Sequence, residues 1–289
     1  MFTMKRLADC TITEAVQAWN EGFEGYYFDM KMTPDSFLKR LGTYGLSATH
    51  SVVAFDGDQP IGLVVNGIRT AKGIKLAYNG GTGVKMSYRN DGVGQLLMDE
   101  VLAIYQRENV QLATLEAIKE NERAISLYKK KGYEIVDYVD HYQAMNFTPI
   151  IVADSPYTYT NAYKWEITSL DFYNERAPWQ TQCDHIPDAQ YVLAKDERGE
   201  VVGYAVYRSA VDPHKKKLIT TLMQCEVNEG NGQRTCYDGL LTQVFHPSKE
   251  MIRLAACIQQ SNETLAKALA DWGFERTVEQ VYMTKAISS

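Results

Sequence analysis

Long apolar runs are missing from these 289 residues. No stretch approaches the roughly 20 consecutive apolar residues with which a helix crosses a bilayer, so no membrane partner is expected. Positive charge is not in excess either. Thirty Lys and Arg stand against 36 Asp and Glu, for a net charge of −6 and a pI near 5.5. A dedicated nucleic-acid binder needs a basic face to displace counterions from phosphates, so that class is excluded as an expectation. Cysteine is sparse: Cys10, Cys183, Cys225, Cys236 and Cys257 are scattered, odd in number and free of any Cys-x-x-Cys pair. That argues against a disulfide framework and for reduced thiols in a cytoplasmic protein. The five histidines show no His-x-x-x-His spacing, so no metal is expected. The first residues, Met1 to Arg6, lead into a polar stretch and not into a signal-peptide core.

What is present is an ordinary globular composition, 45% hydrophobic and 23% charged, with material for two medium domains or one large one. Apolar runs at 51–55 and 61–68 flank Asp56-Gly57-Asp58-Gln59-Pro60 and read as a hairpin. Further strands are expected over 74–85 and 112–118. Leu97, Val101, Ile104 and Tyr105 form one apolar stripe, which predicts a helix over 92–107. Asn121 opens a second helix and Glu122 occupies its first turn. Lys129 to Lys131 fill its last turn before Gly132, which completes a set of start and stop signals. Helical patterns also fit 13–22 and 34–41.

The same order occurs twice. Gly62 and Gly203 stand in similar apolar runs, Asn121 and Asn262 open similar helices, and Gly132 and Gly273 close them. Each pair is separated by 141 positions. That period is too long for a solenoid and suits a duplicated domain, with a boundary expected in the interrupted stretch 147–160 around Pro149, Asp154, Ser155 and Pro156. The domains are therefore expected at 1–147 and 148–289.

The chemistry signal lies between the third strand and its helix, where Arg89-Asn90-Asp91-Gly92-Val93-Gly94-Gln95 reads Arg-x-x-Gly-x-Gly. A helix N-terminus offers unpaired amides and partial positive charge to a phosphate, and glycines let the backbone come close. A dinucleotide fingerprint would need glycine at position 97, which is Leu97, and a P-loop would need Gly-Lys-Ser/Thr, where Gly94 is followed by Gln95. Plain turn chemistry is the other reading of two glycines at a helix start.

The ordered set of Val84-Lys85-Met86, Arg89 to Gly94, the strand 112–118, Asn121, Tyr128 and Gly132-Tyr133 resembles the GNAT (Gcn5-related N-acetyltransferase) superfamily. The likeness covers about 3–147 well and 160–285 in outline. It implies an α/β (α+β type) fold of two GNAT-like domains, each a mixed, mostly antiparallel sheet flanked by helices. It also implies acetyl-CoA as co-substrate, its pyrophosphate on the amides of 89–94. Two strands would splay to admit pantetheine, held by the backbone of Val84 and Met86, with Lys85 between them. Asn121 would touch the cofactor arm and Arg123 the outer phosphate, although a solvated helix arginine reads equally well.

The resemblance makes the chain an N-acetyltransferase in which a neutral amine attacks an acyl thioester. An ammonium of pKa about 10.4 must lose a proton, and the departing thiolate must gain one. Tyr128 stands where the family keeps that acid; its other reading is a core tyrosine. The Val84 amide would polarise the thioester carbonyl. For the base, 74–85 offers no carboxylate, only Tyr78, Asn79 and the run 80–83, whose glycines suggest a bulge or a close backbone approach. Glu116 on the next strand is a candidate base through water, or else an ordinary strand residue. The segment 21–30, with Glu24, Tyr26 and Tyr27, suits a cationic acceptor by charge and cation–π attraction, or is an amphipathic helix end. The acceptor, a small-molecule or peptide primary amine, is not named by the sequence, and the oligomeric state is left open. In the second half, Arg89, Gly92, Gly94 and Tyr128 map to Gly230, Gln233, Thr235 and Leu269, with Gly230 and Gly232 as a shifted pair. The scaffold is kept and the phosphate grip lost. A non-catalytic acyl-CoA sensor or interaction module stays as the alternative.

Overall fold

A computed structural model describes residues 1–71, 73–150, 155–212, 216–228, 233–247 and 249–287. Of the positions raised above, Asp154, Gly230 and Gly232 lie outside the described residues. The chain forms two compact units, Met1–Val136 with Tyr282–Ser289, and Asp137–Val281.

The first unit opens with β1 (Thr3–Arg6), which is too short for its alternation to stand out in the sequence, and continues through α1 (Ile12–Gly22) and α2 (Pro34–Thr43). Both helices start on a reciprocal cap, Thr11 with Glu14 and Thr33 with Ser36, which satisfies amides that would otherwise lack partners. Then come β2 (Leu46–Asp56), β3 (Gln59–Ala71), β4 (Ile74–Val84), α3 (Val93–Arg107), β5 (Leu112–Ile118) and α4 (Glu122–Lys130). The apolar stripe of α3 is buried as its spacing predicts, with Leu97, Val101 and Tyr105 inaccessible. Neighbouring strands run antiparallel from β1 to β4, and β4 and β5 are parallel.

β6 (Glu134–Ala144) carries the chain into the second unit. There follow β7 (Thr158–Asn161), α5 (Lys164–Thr168), β8 (Ala189–Lys195), β9 (Val201–Val211), β10 (Leu218–Val227), α6 (Gln233–Phe245), β11 (Ile252–Gln259), α7 (Glu263–Asp271) and β12 (Phe274–Ala286). Within this unit β6 pairs antiparallel with β11, β11 parallel with β10, and β10, β9, β8 and β7 follow antiparallel. The last residues of β12, from Tyr282, belong to the first unit, where they lie beside β5 and Ile287 donates to the Gln111 carbonyl at 3.0 Å. The strand that follows α4 thus serves mainly the second unit, and the end of the chain completes the first.

The repeat is structural. Asn121 and Asn262 cap α4 and α7 with nearly equal backbone angles, φ −83° and −86°, each accepting from the amide three residues on. Gly132 and Gly273 end those helices at φ 82° and 79°, which costs a glycine nothing.

Candidate active site

β4 and β5 are paired only from Leu76–Leu112 to Asn79–Leu115. Past that point both strands continue, to Val84 and Ile118, without pairing to each other. The divergence starts at a bulge: the β3–β4 register slips between Val65 and Asn66, leaving Gly80 as the extra residue. Asn79 is buried and holds this bulge, its Oδ1 accepting from the Gly81 amide at 3.1 Å and its Nδ2 donating to Thr82 Oγ1 at 2.8 Å. Its Nδ2 also lies 3.6 Å from Met98 Sδ of α3.

Glycines on this strand allow backbone to meet backbone. A Cβ at Gly83 would lie 3.1 Å from the carbonyl carbon of Gly22 at the end of α1, and a Cβ at Gly22 would lie 2.9 Å from that of Gly83. Lys85 donates its amide to Ile61 of β3 at 2.8 Å. Backbone groups alternate between the two edges of a strand, so the Val84 amide faces the opposite edge, the open side toward β5. Met86 lies in a short 3-10 turn, Met86–Tyr88, with its side chain exposed and its carbonyl accepting from the Arg89 amide.

The turn into α3 is built on left-handed backbone. Asn90 has φ 77° and Gly92 φ 84°, and Gly92 caps α3 without any side-chain bond. The first helical amides to find a backbone acceptor are those of Gln95 and Leu96, both on the Gly92 carbonyl at 2.9 and 3.1 Å. Those of Val93 and Gly94 point ahead of the helix, as first-turn amides do. Around them Asn90, Asp91 and Gln95 are exposed, and the Val93 side chain is buried. A Cβ on Gly94 would press on Leu127 of α4 at 3.3 Å. Burial and the neighbouring Arg89 guanidinium hold Arg123, in α4, below the ordinary arginine range. Arg89 itself bonds to carbonyl oxygens of Val84, Gly22 and Glu24.

Tyr128 is 6% exposed, and its phenol is hydrogen-bonded to the Thr82 side chain on the diverging part of β4. Burial raises its pKa and the Thr82 bond opposes that rise, so the phenol keeps its proton at neutral pH. Tyr26 reaches the same place from the segment after α1. It bonds to the Asn121 side chain, and its pKa is pushed up to about 12 by burial first and by Tyr128 next. Asn121 meanwhile accepts from the Ala124 amide at 3.2 Å as the α4 cap.

Glu116 follows the last paired residue of β5 and stands at the mouth of the divergence. Its Oε2 accepts from the Tyr78 phenol at 3.0 Å, while its Oε1 is buried with no hydrogen-bond partner among the described residues. Burial pushes its pKa up to about 7, against the lowering effects of the Tyr78 bond and of the nearby backbone amide of Glu116 itself. An acceptor atom left without a partner in a protein interior is costly and calls for an explanation. Tyr78 went unrecognised in the sequence as its partner, because only the register that sets Tyr78 opposite Thr114 puts it on the same face as Glu116.

Of the acceptor-side candidates, Glu24 and Tyr27 are exposed, and Tyr26 is the one turned toward α4. A cavity of about 460 Å³ lies along this segment, lined by Glu21, Phe23, Glu24, Tyr26, Phe28 and Asp29 among others.

In the second unit β10 and β11 also pair for four residues and then part. The register there sets Gly203 opposite Val227 where the first unit sets Gly62 opposite Val84, and Tyr204 opposite Glu226 where it sets Leu63 opposite Gly83. The constant offset therefore fails on this strand, and Glu226 stands at the place of Gly83. Its carboxylate accepts from Asn174 at 2.8 Å and Asn262 at 2.9 Å, and Asn174 also donates to Gln259 of β11 at 2.9 Å. These bonds bridge the parted strands. Leu269, at the Tyr128 position, is fully buried and has no proton to give. Gln233 and Thr235 lie in α6.

Residues 13–133 match the model of the acetyltransferase (GNAT) family. No curated protein matches the chain. Among solved structures it is similar to the GCN5-related glucosamine N-acetyltransferase region of a fungal multi-domain β-N-acetylglucosaminidase. That match has TM-score 0.71 and 14% identity, and covers 98% of this chain and 38% of that one. It is also similar to a GCN5-related N-acetyltransferase from Sphaerobacter thermophilus (TM-score 0.62, 14% identity, 100% and 96% covered) and to a tandem GNAT protein of the clavulanic acid biosynthesis pathway (0.62, 12%, 100% and 99%). At such identities the likeness establishes the fold. No described helix is long and apolar enough to cross a membrane.

Proposed function

We propose that this protein transfers an acetyl group from acetyl-CoA to a cationic primary amine of a small molecule or peptide, by direct attack in the first unit. The observation that carries the reading is the buried, unpartnered Oε1 of Glu116 at the gap between β4 and β5, on a carboxyl of pKa about 7. The residues suit the co-substrate: the Val93 and Gly94 amides for a pyrophosphate, Arg123 for an outer phosphate, and the strand divergence for a pantetheine arm. Bound there, the co-substrate supplies an activated thioester.

The chain's own groups do the rest. Glu116 accepts the proton of the ammonium, directly or through one water, so that the nitrogen lone pair is free to form the new C–N bond. The Val84 amide faces the open edge and donates to the carbonyl oxygen as charge builds on it. Tyr128 gives its proton to sulfur as the C–S bond breaks, and the second proton that the nitrogen loses on becoming an amide passes through solvent to the Tyr128 phenolate. The acids and aromatics of 21–29 draw the cationic acceptor, by charge and by ring faces. Five free cysteines suit a cytoplasmic setting. A non-catalytic acyl-CoA sensor would have no use for the Glu116–Tyr78 pair. Thiol release from acetyl-CoA with a panel of amines tests the reading. Turnover with cationic primary amines is expected, and CoA binding without release for any amine would favour the sensor.

A further inference from the structure

Arg89 opens the Arg-x-x-Gly-x-Gly turn, and its guanidinium donates to three backbone carbonyls. Nε donates to the carbonyl of Val84 at 2.9 Å, and Nη2 donates to the carbonyls of Glu24 at 3.0 Å and Gly22 at 3.3 Å. Val84 ends β4 and Gly22 ends α1. Glu24 begins the aromatic segment that reaches Tyr26. The last carbonyls of a helix lack intrahelical amides and carry partial negative charge, so a forked cation fits there. A second cation from the same turn repeats the link: Lys85 Nζ lies 2.8 Å from Glu21 Oε2. The far end of the segment is tied to α1 separately. Trp19 Nε1 donates to the Met30 carbonyl at 2.7 Å, and Asn20 exchanges two bonds with Met32. Residues 23–30 are thus pinned at one end by α1 itself and at the other by Arg89.

We infer that Arg89 is a positioning residue that ties the amine-side segment 22–28 to the cofactor turn, so that filling the turn orders that segment. This rests on the acyltransferase reading. It assigns the fork to the loop, leaving the phosphate to backbone amides and Arg123. Occupancy of the Val93 and Gly94 amides would fix the turn, and the Arg89 fork passes that rigidity to Gly22 and Glu24. The Tyr26–Asn121 bond then closes the segment on α4.

Hydrogen exchange of the peptide covering 20–30, measured on the full chain with and without CoA, tests this together with CoA affinity by calorimetry. The variant is Arg89→Lys, which keeps the charge and loses the fork. In the wild type, CoA should slow exchange over 20–30. In Arg89→Lys, exchange without CoA should rise about tenfold, the scale of losing charge-assisted bonds to carbonyls. CoA should no longer restore protection, while its affinity falls no more than about threefold. Unchanged exchange over 20–30 in the variant overturns the inference. So does a tenfold or greater loss of CoA affinity, which would assign the guanidinium to the phosphate. Lys85→Met, which breaks only the Glu21 pair, should raise exchange in the same peptide by a smaller factor and serves if Arg89→Lys does not fold. Wild type that fails to bind CoA would count against the acyltransferase reading, and the exchange of the cofactor-free proteins would still decide the link.

Discussion

Replacing Glu116 by Gln removes one proton site and almost no volume, and its consequences for rate and for stability have opposite signs. The folded carboxyl has a pKa of about 7 against an ordinary 4.5, because burial disfavours its charge. The folded state therefore holds a proton between those two values that the unfolded chain has already lost. Stability conferred by the protonated form is complete below pH 4.5, declines as pH rises through that window, and is lost above pH 7. The interval corresponds to about 3 kcal/mol at most. A neutral amide escapes this penalty and can still accept from Tyr78. Glu116→Gln should accordingly be more stable than the wild type at pH 8 by about 2–3 kcal/mol in denaturant titrations, and indistinguishable from it near pH 4. Turnover should move the other way. Wild-type kcat should rise about tenfold per pH unit below 7 and level off above it, well separated from the acceptor's own ionisation at about 10.4. The variant should lose about 10²–10⁴ in kcat together with that inflection. An inflection near 7 that survives in Glu116→Gln, or a variant less stable than the wild type at pH 8, would refute the assignment.

Tyr128→Phe keeps the ring against Tyr133, 6.0 Å away between centroids, and removes the bond to Thr82. Turnover should fall by about 10²-fold with CoA affinity nearly unchanged; joint loss of stability and binding would make the tyrosine structural. Gly94→Glu sets a carboxylate over the amides that would receive a pyrophosphate and presses on Leu127, so CoA affinity should drop at least about tenfold by calorimetry, and an unchanged value would place the phosphates elsewhere. The wild type should bind one CoA per chain, since Glu226, Asn174 and Asn262 bridge the corresponding gap in the second unit; two equivalent sites would contradict that.

The sequence determined what depends on neighbours along the chain. The strand 112–118 is β5 residue for residue, and the helix expected over 92–107 begins one residue later, at Val93. Caps and stops at Asn121 and Gly132 declared themselves because a side-chain oxygen and a left-handed glycine act within one turn. The glycine turn at 92–94 was legible for the same reason. The tertiary structure decided what depends on register and on partners far along the chain. Glu116 reads from the sequence as a candidate base or an ordinary strand residue, and only the β4–β5 ladder shows Tyr78 beside it. The motif names the Arg89 turn but cannot show that carbonyls 65 and 67 residues earlier accept from the Arg89 guanidinium. The 141-residue offset located the duplicated scaffold, but a two-residue change of pairing on β10 moved Glu226 into the second gap. The assignment of the end of β12 to the first unit is of the same kind, since strand pairing is a contest among all edges in the fold and no local pattern records which one wins.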